Sequence, residues 1–72
     1  MTTLLETKLV RADHIRSFHV HTSRATGWET AEHEDQRVVH EQRFTDWHRV
    51  ERTLDRFARD IARLRGQGWR EA

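Results

Sequence analysis

Seventy-two residues without a cysteine make one small domain with no disulfide or thiolate metal site, so packing, a second copy or a histidine-bound ion must hold it together. Charged residues form 35% of the chain yet nearly cancel at +1, which excludes the strongly basic balance of a dedicated nucleic-acid binder. No apolar run approaches the roughly 20 residues that span a bilayer, and the opening MTTLLETKLVRADH lacks the pattern of a secretory signal, so a cytoplasmic protein is expected.

The first dozen residues set Leu4, Leu5, Leu9 and Val10 among Thr2, Thr3 and Thr7. The Leu5–Leu9 spacing also suits a helix, but the β-branched company favours a strand over about 3–11, with Ala12, Asp13 and His14 as the turn. Ser17 to Thr22 then alternates, with Phe18, Val20 and Thr22 on one side and His19 and His21 on the other, the period of a half-buried strand over about 15–23. Ser23, Arg24, Ala25, Thr26 and Gly27 supply turn chemistry, and residues 27–33 return as the second arm of a hairpin. Glu34, Asp35 and Gln36 break the pattern before a further strand over about 37–43. Val38 is expected inward with His40 and Phe44, because the opposite facing buries Glu41.

From Thr45 the period becomes helical. Trp47, Val50, Leu54, Phe57, Ile61 and Leu64 recur at spacings of 3, 4, 3, 4 and 3, a narrow apolar seam slightly widened by Ala58 and Ala62. The helix is expected over about 46–65, with Thr45 as N-cap, Asp46 in the first turn, Arg63 and Arg65 in the last, and Gly66 in the left-handed stop. Residues 66–72 form a tail whose Trp69 can fold back on the core. The fold class is therefore α+β: a three- to four-stranded antiparallel β-meander followed by one long C-terminal α-helix packed on one sheet face, against Phe18, Val20 and Trp28. The other sheet face, carrying some of Leu4, Val10, Ile15, Ala31 and Val39, stays uncovered.

Two surfaces are candidates to carry chemistry. His19, His21 and His33 share the uncovered face and are the candidate zinc or copper ligands, since imidazole suits both ions. Separate polar positions on a solvated face explain the same spacing, so no metal and no cofactor is assigned; repulsion between protonated histidines across strands is the stronger expectation. Arg49, Arg52, Arg56, Arg59 and Arg63 line about 21 Å of the helix back, at 1.5 Å per residue, and are the nucleic-acid candidates. Asp46, Glu51, Asp55 and Asp60 dilute this ridge, with Asp55–Arg59 and Arg56–Asp60 spaced to pair. As an order of elements alone, residues 15–64 are similar to the DNA-binding domains of AP2 type and the amino-terminal domains of some tyrosine integrases, whose sheets enter the major groove. Here the strands offer Arg16, Arg37 and Arg43 against Glu29, Glu32 and Glu41, too few basic residues to assign a contact.

His48 can meet Glu51 or Arg52 one turn on, an arrangement able to orient a base. There is no cysteine nucleophile, nucleophile elbow, glycine-rich phosphate loop or His-Glu-x-x-His helix beside it, so a non-enzyme is expected. The function that fits is a small interaction module, self-associating as a homodimer through the exposed sheet face or edge. Nucleic-acid binding through the helix or strand arginines is the alternative, and no membrane contact is expected.

Overall fold

A computed structural model describes residues 2–23 and 27–72. Among the described residues the chain forms β1 (Thr3–Arg11), β2 (His14–Thr22), β3 (Trp28–Glu34), β4 (Arg37–Phe44), α1 (Trp47–Gly66) and β5 (Arg70–Glu71). The fold is α+β, with all neighbouring strands antiparallel in the order β4-β3-β2-β1-β5 and the helix packed on one face. The sequence predicts three or four strands and a tail over 66–72. That tail instead supplies a fifth strand: Arg70 lies opposite Val10, Glu71 opposite Leu9, and the Ala72 N–H donates to the Lys8 carbonyl at 2.9 Å.

A glycine two residues later than expected turns the chain back. Gly66 stays helical, and Gly68 takes the left-handed conformation at φ +97. Its N–H donates to the Arg65 carbonyl at 3.2 Å, and that of Trp69 to the Leu64 carbonyl at 3.0 Å. This pair of bonds is a Schellman closure, which satisfies helix-end carbonyls and brings the aromatic residue after the glycine onto the last turn. Trp69 accordingly packs against the core. The other helix end is also displaced by one residue. Asp46, not Thr45, is the N-cap, in extended backbone with its carboxylate accepting from the His48 N–H at 3.0 Å.

The turns follow from backbone sign. Asp35 and Gln36, at φ 51 and 69, close the β3–β4 hairpin with the two positive φ values that its tight turn demands. At the β2–β3 connection the Ser23 N–H donates to the Gly27 carbonyl at 2.9 Å; residues 24–26 of the expected turn lie outside the described residues.

Register sorts the side chains into two faces, because residues opposite each other in adjacent strands share a face. Leu5, Leu9, Phe18, Val20, Trp28 and Phe44 face the helix, which answers with Val50, Leu54, Phe57, Ile61 and Leu64. Several side chains depart from expectation. Trp47 is 40% exposed, leaning on Trp28 with ring centroids 5.3 Å apart instead of entering the core. Thr53, outside the expected seam, is buried, its hydroxyl donating to the Arg49 carbonyl at 3.0 Å. Val38 is 54% exposed, because an irregularity in the β3–β4 pairing sets His40 opposite Glu32 but Val38 opposite His33, so the extra residue, Val39, flips Val38 to the other face. His40 and Phe44 do turn toward the helix, as their spacing implies. Ala58 and Ala62 are exposed and do not widen the seam.

Candidate interaction surface

The uncovered sheet face is built by the alternate residues that the helix does not claim. His19 lies opposite Ala31, His21 opposite Glu29 and His33 opposite Ser17, so all three candidate metal ligands share this face. The structure brings two of them together. His19 and His33 meet edge to face with ring centroids 5.7 Å apart, while His21 is taken up by Glu29, with Nε2 and Oε2 at 3.0 Å. Among the described residues no three His, Asp or Glu side chains are placed to hold a metal ion. Burial holds His19 below its ordinary value of 6.5, overriding the nearby Glu6, and His33 and His21 push the same way.

Glu29 anchors a small charge network toward the β4 edge. Arg43 donates to its Oε1 at 2.7 Å while His21 engages Oε2, and this hydrogen bonding, from Arg43 first, holds the carboxyl below its ordinary value of 4.5. Glu29, Ala31, Glu41, Arg43 and His21 line a shallow depression here. Val38 and Val39, 54% and 48% exposed, lie farther along the same strand. Among the described residues the outer edge of β4 faces no other strand, whereas the outer edge of β1 is covered at residues 8–10 by β5.

The arginine ridge is solvent-exposed along its length. Arg59 pairs with Asp55, as the spacing implies, but Asp60 turns to Arg63 at 3.3 Å instead of to Arg56. Arg56 lies over the Phe57 ring, 5.5 Å from its centroid. Among the described residues Arg49, Arg52 and Arg56 have no carboxylate within the 4.0 Å of an ion pair. His48 and Glu51 lie 3.9 Å apart in open solvent, within ion-pair distance but beyond a hydrogen bond.

One polar group escapes the sequence pattern. On the helix side of the sheet, Arg16 donates to Glu32 at 2.6 Å, and Glu32 is only 8% exposed. Arg16 Nε and His40 Nε2 are buried beside this pair without a partner among the described residues. The two pairing residues are sixteen apart, so nothing in their local spacing announces the bond; it appears only once β2 and β3 are in register. Like the Arg43–Glu29 bond, it ties a strand arginine to a strand glutamate.

No helix among the described residues is long and apolar enough to cross a membrane. No family model matches the chain, and neither a curated protein nor a solved structure matches it.

Proposed function

We propose that the chain is a small non-catalytic interaction module that self-associates through the edge of β4 and the adjoining open sheet face. The observation that supports this is the outer edge of the eight-residue β4, which is unpaired among the described residues and carries exposed Val38 and Val39. A free edge presents a row of backbone donors and acceptors that another strand can satisfy, and natural sheets ordinarily blunt such edges. Here the β1 edge is blunted by β5 and by an irregularity between Thr3 and Leu5, whereas β4 keeps its regular stretch open beyond the bulge. The non-catalytic part draws support from His48 and Glu51, whose 3.9 Å approach in open solvent is a loose ion-pair distance and not a hydrogen bond. Sedimentation equilibrium from low to high micromolar concentration tests the proposal: a monomer–dimer transition is expected, and monomer throughout, with no partner retained in a pull-down, removes it.

Among the described residues Arg49, Arg52 and Arg56 have no carboxylate partner, which favours a second reading, contact with a nucleic-acid backbone along the first half of the helix. Mixed-sequence DNA and RNA titrated at about 50 and 200 mM salt decide it, since phosphate contacts weaken steeply with salt. No binding at the lower salt ends that reading.

A further inference from the structure

The facing of β4 restricts how a second copy can add to its edge. From His40 to Phe44 the strand is regular: His40, Gln42 and Phe44 lie opposite Glu32, Thr30 and Trp28 on the helix side, and Glu41 and Arg43 lie opposite Ala31 and Glu29 on the open side. In an antiparallel pair a slip of one residue sets every side chain on the wrong face, so two identical strands related by a twofold axis must cross at a residue. An axis at Glu41 sets that glutamate against its own copy, and an axis at Arg43 does the same with arginine; like charges directly opposite are destabilising. An axis at His40 carries the pairing into the bulge at Val38 and Val39. An axis at Gln42 stays within the regular stretch and sets Glu41 of each copy opposite Arg43 of the other, twice, on the open face.

We propose that a second copy of this chain adds antiparallel to β4 with the twofold axis at Gln42, joining the two sheets through reciprocal Glu41–Arg43 pairs. This rests on the self-association reading above and fixes its register. The side chains are ready for it. Among the described residues Glu41 has no cation within ion-pair distance, and Arg43, already held by Glu29 at 2.7 Å, keeps guanidinium N–H groups to donate to a second carboxylate. The pairing extends the network from His21 through Glu29 and Arg43 across the axis.

Glu41→Arg and Arg43→Glu, made separately, are each expected to weaken self-association about tenfold or more, since each turns both attractive pairs repulsive. Mixed in equal amounts, the two variants restore association near the wild-type level, because the paired arginines of the first then face the paired glutamates of the second. Arg43→Glu also loses its bond to Glu29, so a second measurement avoids that change. The chain has no cysteine, which makes Gln42→Cys a clean probe: Cα atoms opposite each other across an antiparallel pair are about 4.5–5.5 Å apart, within disulfide range. Mild oxidation should give a covalent dimer with Gln42→Cys and none with Asp13→Cys. If the wild type is monomeric, the self-association reading itself fails. If it dimerises while both charge variants keep full affinity, or Gln42→Cys fails to cross-link, the register alone is overturned.

Discussion

The ring of Phe18 on β2 meets that of Phe57 on α1 edge to face, with centroids 5.1 Å apart and both side chains fully buried. This contact joins the middle of the sheet to the middle of the helix, with Val50, Leu54, Ile61 and Leu64 packed around it. Phe57→Ala should therefore cost about 3–5 kcal/mol, the range for emptying a buried aromatic site. That approaches the whole stability of a domain this small, roughly 5 kcal/mol. Urea unfolding followed by far-ultraviolet circular dichroism should show the cooperative transition lost or moved close to zero denaturant. Ala58→Ser, on the exposed neighbour, should stay within about 0.5 kcal/mol of wild type.

Gly27 and Gly66 should respond oppositely to alanine. A Cβ at Gly27 would run into the Phe44 carbonyl oxygen, at a φ of +80 that side chains rarely adopt. Gly27→Ala should then destabilise by about 2 kcal/mol or more, because backbone must move and strain is added. Gly66 is helical with nothing within 4 Å of its Cβ position, so Gly66→Ala should gain about 0.5–1 kcal/mol from helix propensity. Paired urea midpoints check both signs, and a neutral Gly27→Ala would show that the approach of Phe44 is not tight.

The cap at Asp46 makes a separable prediction. Its carboxylate accepts from the His48 N–H at 3.0 Å, a bond whose loss ordinarily costs about 1 kcal/mol. Asp46→Ala should lower stability by that amount, whereas Thr45→Ala should be close to neutral. Equal losses at the two positions, measured by thermal unfolding, would restore Thr45 as the cap.

These positions mark how far the sequence is legible. Alternation at Phe18 and Val20 and the helical spacing of Val50, Phe57, Ile61 and Leu64 report burial directly, because each repeats with the period of its element and ends in the core. Register is not periodic in that sense. Val38 and Val39 are both apolar, so no local pattern says which is the extra residue of the bulge, and the error reverses the facing of Val38. Arg16 and Glu32 meet only through register, and β5 is a two-residue polar strand without alternation. A usable signal did precede β5: Gly68 followed by Trp69, a left-handed residue and then an apolar one, is the Schellman pattern. No local pattern marks the edge of β4 that is unpaired among the described residues, since it depends on strand order and on where β5 docks.

His14 and His19 should give stability opposite slopes with pH. Nδ1 of His14 lies 2.9 Å from Asp35 Oδ2; that hydrogen bond first, then the charges of Asp35 and Asp13, holds the imidazole above its ordinary 6.5. Its folded state binds the proton more tightly than the unfolded one, so its contribution is fully present below pH 6.5 and is lost as pH rises through the folded value. Asp35 is held below its ordinary 3.8 by His14 and then by the Ile15 N–H, and its contribution is present above pH 3.8 and lost as pH falls through the lower folded value. The pair therefore acts in full between about pH 3.8 and 6.5. His19, held below 6.5 mainly by burial, resists protonation in the fold, so its contribution is present above pH 6.5 and erodes as pH falls through its folded value. Histidine ring-proton titration by NMR should place the His14 midpoint above 6.5 and the His19 midpoint below it. His14→Ala should lower stability mainly at mildly acid pH, and His19→Gln should flatten the decline on the acid side that burial of an imidazole beside His33 and His21 imposes. A shared midpoint at 6.5 for the two rings would contradict both halves of this prediction, because neither the Asp35 contact nor the burial of His19 would then be present in solution.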